Sequence, residues 1–209
     1  MNIPDKNRIK LVLGDCIEIM KTIPDGIVNL VLTDPPFGTT RQKWDSVIDF
    51  KKMWEQLLRV SKDNSAIIMF AATPFDKLLA CSNIGMYRYE WIWIKEQGTG
   101  QLNAKKQPMR KHENILVFYK NQPVYNPQFA DGKPYHVKRN ITTEGLNTYN
   151  KISNKSETKS DGRRYPTTEL RFNRELQNRY HPTQKPVALL EYLIRTYTNE
   201  NELILDFTM

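Results

Sequence analysis

The feature that most constrains the fold of this chain is an apolar run that stops abruptly: Val28-Asn29-Leu30-Val31-Leu32, followed at once by Thr33-Asp34-Pro35-Pro36-Phe37-Gly38. The run reads as a buried strand. Proline fixes φ and keeps the residue before it extended, so Asp34 and Pro35 cannot join a following helix. The chain must leave the sheet in a stiff loop, with a carboxylate and an aromatic ring just past a strand's carboxyl end. In open α/β sheets that is the edge where ligands bind.

The residue types in this loop suit one kind of chemistry. Neither proline carries an N–H, so the local carbonyl oxygens are less easily tied up within the turn. A carboxylate, free carbonyls and a ring are what a planar amine on a heteroaromatic base would need. The lone pair of such an amine is delocalised, and acceptors gripping its hydrogens favour the tetrahedral form of the transition state. A ring stacked on the base would hold it once it left a duplex. Taken alone, Asp-Pro-Pro reads as a strand end with an N-capping Asp and a turn, and the rest of the chain decides between the readings.

That rest alternates strand and helix signals. Lys10–Gly14 predicts a short buried strand, with Asp15 capping the helix that follows and Glu18 as its reciprocal partner. Residues 10–33 then form a β-α-β unit with parallel strands, and Asp15 and Asp34 share one edge of the sheet. Phe50, Met53, Trp54, Leu57 and Leu58 recur at helical spacing and read as core packing. Ser61–Asn64 reads as a turn, Ala66–Phe70 as a strand, and Phe75, Leu78 and Leu79 as a short helix. Two further strands are expected at Tyr87–Ile94 and Ile115–Tyr119. A helix carrying Val187, Leu190, Leu193, Ile194 and Tyr197 precedes a final strand at Leu203–Leu205.

Charge is unevenly spread. The net charge is +8, and residues 133–174 hold ten Lys/Arg against four Asp/Glu, so most of the excess lies there. A surplus of this sign points to a polyanion, nucleic acid first. The segment from about Asn126 to Arg179 has few aliphatic residues and no apolar period. One reading is a solvated or disordered loop, which Asn150–Gly162 fits. The other, preferred for the segment as a whole, is a DNA-facing insertion with tyrosines among its basic groups. Lys138, Arg139, Arg163 and Arg164 are its candidate phosphate contacts, and Arg41 and Lys43 in the loop after Gly38 are further ones. Cys16 and Cys81 read as reduced thiols of a cytoplasmic protein. No apolar run approaches the roughly 18 residues of a membrane span, and no Cys/His cluster has metal-ligand spacing.

Three separated motifs now agree: Leu13-Gly14-Asp15, Asp34-Pro35-Pro36-Phe37, and His181-Pro182-Thr183-Gln184-Lys185-Pro186 leading to Leu205-Asp206-Phe207. In kind and order they resemble the beta-class DNA amino-methyltransferases, over nearly the whole chain outside residues 126–179. The resemblance implies a Rossmann-like α/β methyltransferase fold with a basic target-recognition insertion. Residues 1–125 would be the catalytic half, 126–179 the insertion and 180–209 the cofactor-binding segment. It implies that Asp34, Pro35, Pro36 and Phe37 grip and stack a base flipped from double-stranded DNA. The implied cofactor is S-adenosylmethionine, with Asp34 beside it. Thr183, Gln184 and Lys185 would hold its methionine end, Asp15 with Cys16 would face its adenosine end, and Asp206 and Phe207 would begin its glycine-rich loop. The chain stops at Met209, before those glycines, so the resemblance implies an incomplete cofactor loop and weak cofactor binding.

Methyl transfer to the 6-amino group of adenine is expected, because the family's cytosine enzymes more often carry Ser where Asp34 stands. The 4-amino group of cytosine is the alternative, and a DNA-binding remnant without catalysis is another. A homodimer and a cognate restriction endonuclease are compatible partners. The setting is the cytoplasm of a bacterial or phage-infected cell.

Overall fold

The computed structural model describes residues 9–40, 42, 44–140, 155–175, 177, 180–181 and 183–208. The chain divides into two compact units, Met1–Asn126 with Thr167–Met209, and Pro127–Pro166. In chain order the elements are α1 (Cys16–Lys21), β1 (Val28–Thr33), α2 (Phe50–Val60), β2 (Ser61–Ala71), α3 (Phe75–Ser82), β3 (Tyr87–Thr99), a 3-10 turn (Gln101–Asn103) and β4 (Arg110–Phe118). Then come β5 (Ala130–Asp131), β6 (Tyr135–Asn140), β7 (Lys155–Ser160), β8 (Arg163–Arg164), β9 (Glu169–Arg171), α4 (Val187–Tyr197) and β10 (Ile204–Leu205).

The larger unit is built on a six-stranded sheet in the order β10-β1-β2-β4-β3-β9. β1 is parallel to both β10 and β2, whereas β4 runs antiparallel to β2 and to β3. β3 and its parallel neighbour β9 therefore share the direction of β1. One edge of the sheet thus carries the ends of β1, β2, β3 and β10 and the start of β4. Asp34 stands at that edge.

Both sheet faces are covered. Val31, Met69, Leu116 and Phe118 pack with Met53 and Leu57 of α2 and Phe75 and Leu79 of α3. Leu32, Phe70, Ile115 and Trp93 face Leu189, Leu193 and Tyr197 of α4 on the other side. The β1–β2 register slips between Val28 and Leu30. Such a slip reverses which face a side chain occupies, and Val28 joins the face of Val31 instead of that of Leu30.

Local signals set the helices, and the structure corrects several readings. Asp15 caps α1 through Oδ1, which accepts from the backbone N–H of Ile17 and Glu18. Glu18 does not return the bond; its carboxylate pairs with Lys21. Asp49 caps α2 in the same way, accepting from Lys52 N. The buried stripe of α2 is Met53, Trp54, Leu57 and Val60, while Leu58 is exposed. Leu78 and Val187 are likewise exposed rather than buried in the core.

Lys10–Gly14 is not a strand. It pairs with no strand among the described residues, and Ile9, Leu11, Val12 and Leu13 stand exposed. The expected β-α-β unit over residues 10–33 is therefore an α-β segment. Ser61–Asn64, read as a turn, already belongs to β2. That strand starts where α2 ends, because Ser61 pairs with Val28.

The smaller unit holds two antiparallel pairs, β5 with β8 and β6 with β7. Residues 155–160, within the stretch expected to be disordered, form β7; residues 141–154 lie outside the described residues. Residues 169–171, placed by the sequence in the insertion, pair as β9 with Ile92, Trp93 and Ile94 of β3 in the larger sheet. Among the described residues no helix is long and apolar enough to cross a membrane, and no group of His, Cys, Asp or Glu could hold a metal ion.

Candidate active site

Four charged side chains meet at the carboxyl edge of the larger sheet. Asp34 follows β1, Lys185 leads into α4, Glu113 lies in the first half of β4 and Lys95 in the second half of β3. Lys185 Nζ is 2.5 Å from Asp34 Oδ2 and 3.4 Å from Glu113 Oε2. Lys95 Nζ is 2.5 Å from Glu113 Oε1. Only 31% of the Asp34 side chain, 16% of Glu113, 10% of Lys185 and 8% of Lys95 is exposed. Signs alternate along the row, so each charge has an opposite neighbour and desolvation is offset by attraction. The Lys185 ammonium also lies over the Phe70 and Phe37 rings, 5.1 and 5.9 Å from their centroids.

Two atoms in the row keep unused capacity. Asp34 Oδ1 and Glu113 Oε2 are buried with no hydrogen-bond partner among the described residues. Glu113 Oε2 is still at ion-pair distance from Lys185, whereas Asp34 Oδ1 has no counterpart among the described residues. Burial pushes the Asp34 carboxyl above the usual aspartate range; Lys185 pulls it back, and Glu113 and Asp206 push it up again. Burial would raise Glu113 too, but Lys185 and Lys95 outweigh it and hold Glu113 below its usual range.

The loop after Phe37 is organised by a residue that the sequence reading passed over. The buried Asp45 carboxylate accepts from the backbone N–H groups of Gly38 at 2.8 Å, Thr39 at 2.9 Å and Thr40 at 2.6 Å. Burial alone would raise its pKa, yet the Thr40 hydroxyl and the three N–H bonds hold it below the usual range. Gly38 turns at φ +67°, and a Cβ there would lie 2.8 Å from Val47 Cγ2. Only glycine fits that turn without strain. Phe37 is half-buried, its ring stacked on Phe75 at 5.1 Å with 24° between planes. Pro35 is buried, and Pro36 is half-buried.

The remaining expected residues separate into two groups. At the Asp34 edge, Thr33 Oγ1 donates to Asp206 Oδ1 at 2.7 Å, so the ends of β1 and β10 are tied together. Elsewhere, Gln184 is committed to structure: its Nε2 donates to Glu175 and its Oε1 accepts from Tyr180 N. Glu175, also unnoticed in the sequence, accepts from Val187 N at the start of α4. Thr183 bonds the His181 ring. Phe207 is buried in the core, and Cys16 packs against the same cluster. Asp15 acts as the α1 cap.

The basic candidates fare unevenly. Arg41 and Lys43 lie outside the described residues, as does the side chain of Arg139. Lys138 is exposed on β6. Arg163 pairs with Asp161 at 2.8 Å and lies over the Phe129 ring. Arg164 is held inside its unit, donating to Ser160 Oγ and to the Lys133 carbonyl and lying over Tyr135. Two more arginines of the basic stretch are also paired, Arg171 with Glu169 and Arg174 with Glu96.

Comparison with known proteins places this geometry. A family model described as DNA methylase matches residues 28–209. Type II methyltransferase M.HpaI of Haemophilus parainfluenzae is 26% identical over 215 residues, covering 94% of this chain and 62% of that protein. Type II methyltransferase M.BglII of Bacillus subtilis is 27% identical, covering 97% of this chain and 60% of the relative. The chain thus spans about three-fifths of the length of these relatives. Among solved structures, the cytosine-N4-specific PvuII DNA methyltransferase superposes with a TM-score of 0.61 at 15% identity, over 93% of this chain and 72% of its own. An M1.HpyAVI–SAM complex gives 0.54 at 20% identity, over 92% and 79%. These two likenesses establish the α/β methyltransferase fold.

Proposed function

The chain belongs to the DNA methylase family, and from that premise we propose that it moves a methyl group from S-adenosylmethionine to the 6-amino group of adenine in duplex DNA. The observation that carries the reading is the state of Asp34. One carboxylate oxygen is held by Lys185, and the other is buried with no hydrogen-bond partner among the described residues, three positions before Phe37 in sequence. A buried acceptor without a donor is costly, and an amine N–H of a flipped base would satisfy it. The family includes both N6-adenine and N4-cytosine enzymes; Asp rather than Ser at position 34 favours adenine.

The donor set suits a cationic cofactor. Asp34, Glu113 and Asp206 gather negative charge at the edge, and Asp206 is near enough to Asp34 to raise its pKa. Asp206, Thr183 and Asp15 would hold S-adenosylmethionine, which supplies an electrophilic methyl group when bound. The chain's own residues do the rest. Asp34 Oδ1 accepts a hydrogen bond from the amine and draws its lone pair out of conjugation. The proton that must leave the alkylated nitrogen then already has a carboxylate in contact, one that burial makes more basic than usual. Phe37 offers the flipped base a ring whose far side rests on Phe75.

Incubation of duplex DNA with methyl-labelled S-adenosylmethionine, followed by nucleoside analysis, tests the reading. Label in N6-methyladenine is expected, label in N4-methylcytosine would move the target to cytosine, and unlabelled DNA would overturn the reading. Stacking makes a narrower prediction. Phe37→Tyr should retain base binding, whereas Phe37→Ala should lose about 1–3 kcal/mol of it. A fluorescent base analogue at the target position reads this out, and equal signal from Phe37→Ala and the parent would leave Phe37 as core packing with Phe75.

Salt dependence probes the basic stretch. DNA affinity should fall with salt with a logarithmic slope of about 0.9 per phosphate neutralised. Lys138→Glu and Arg163→Glu should each flatten it by about that amount. An unchanged slope would place the phosphate path elsewhere. Arg164 is a poor probe because its guanidinium holds the small unit together.

A further inference from the structure

We infer that Glu113 and Lys95 are positioning residues for this site: Lys95 holds Glu113, Glu113 shares Lys185 with Asp34, and the sharing fixes which oxygen of Asp34 is left for the substrate amine. The inference rests on the reading of Asp34 given above and extends it to two side chains that touch neither base nor cofactor.

The geometry is specific. β3 and β4 pair Trp93 with Glu113, and side chains alternate along a strand. Glu113 therefore points to the α4 side with Ile115 and Val117, and Lys95 to the same side with Trp91 and Trp93. Each is the charged end of an otherwise apolar row. Lys95 is committed to Glu113 at 2.5 Å and lies 5.1 Å from the Trp93 ring centroid. Lys185 reaches Glu113 Oε2 at 3.4 Å, close enough for charge attraction but without hydrogen-bond geometry. Its short bond goes to Asp34 Oδ2 instead. The ammonium is drawn both ways, and Lys95 limits how strongly Glu113 draws.

The charged groups influencing Asp34 come from each element at this edge: Lys185 before α4, Glu113 of β4 with Lys95 of β3 behind it, and Asp206 after β10. Changing the two outer members should move Asp34 in opposite directions. Lys95→Met leaves Glu113 with Lys185 alone, pulls Lys185 off Asp34 and should raise the midpoint of Asp34 titration by roughly one pH unit. Glu113→Gln removes a negative neighbour, frees Lys185 for Asp34 and should lower the midpoint by a similar amount.

Carbon-13 NMR of aspartate-labelled protein reads this without catalysis, with the Asp34 signal identified by its loss in Asp34→Asn. Opposite shifts support the inference; midpoints that coincide with the parent, or move the same way, overturn it. Should Lys95→Met fail to fold, the charge-balanced Lys95→Met/Glu113→Gln protein should titrate below the parent, and a midpoint at or above the parent would overturn the inference. In methylation assays the acid limb should follow the same shifts while KM for S-adenosylmethionine stays put. Opposite NMR shifts in a parent that methylates nothing would reject the proposed function alone. Unmoved midpoints in an active parent would reject this inference alone.

Discussion

Asp34→Asn is expected to lower the methylation rate by roughly a hundredfold or more, the usual effect of losing one preorganised group that stabilises a transition state. The substitution changes almost no volume, so its effect lies in hydrogen-bond polarity. Lys185 Nζ, a donor only, sits 2.5 Å from Asp34 Oδ2. An asparagine there must give its single oxygen to Lys185, which turns the amide NH2 to the place of Oδ1. The substrate amine then meets a donor where it needs an acceptor. Duplex affinity should barely change, because phosphate contacts supply most of it. A rate within tenfold of the parent, with duplex binding intact, would remove Asp34 Oδ1 from the chemistry.

The raised pKa of Asp34 adds a pH signature to the same assay. The carboxylate form is the acceptor, and burial makes that form harder to reach. Activity should therefore begin to fail, as pH drops, above the ordinary carboxylate range rather than within it.

What was legible in the sequence was local. Asp15 caps a helix because a cap involves a few neighbouring residues, and α2 follows from helical spacing alone. Asp34 and Lys185 were legible because proline and motif spacing mark them, although only the structure shows the two in contact across 151 positions. Glu113 and Lys95 were not, since a charged residue at the end of an apolar row reads as a strand edge facing water. Their pairing exists only once β3 and β4 align. Asp45 was missed for a similar reason: its three N–H partners are backbone groups of a loop that must first fold back.

Strand errors share one cause. Lys10–Gly14 has the right composition, but a strand needs a neighbour to bond to, and composition does not report neighbours. Lys155–Ser160 has the opposite character, polar throughout, yet it is a strand because Tyr135–Asn140 lies alongside it. Ladder hydrogen bonds, not apolar residues, define a strand.

Lys185→Met should be the most destabilising single change at this edge, costing about 3–5 kcal/mol near neutral pH, the usual result of removing one partner from a buried ionic cluster. Methionine keeps the apolar stem beside Phe37 and Phe70, so the loss is one of charge. Asp34 and Glu113 are then left facing each other, with Lys95 the only remaining cation of the row. The sign of the pH dependence follows. In the parent, Glu113 has a depressed pKa, so its contribution is present above the usual glutamate range and is lost as pH falls through the depressed value. In the variant Asp34 loses its cation and Glu113 keeps only Lys95, so both carboxylates protonate more readily, which relieves the repulsion. The stability gap between the two proteins should therefore be widest near neutrality and close as pH falls. Adding Asp34→Asn should recover part of it at neutral pH by removing the charge that Lys185 had paired. Urea midpoints across a pH series test this. A loss below about 1 kcal/mol that does not vary with pH would mean that water screens the cluster as it screens a surface pair, and Lys185 would then be unable to hold Asp34 in place.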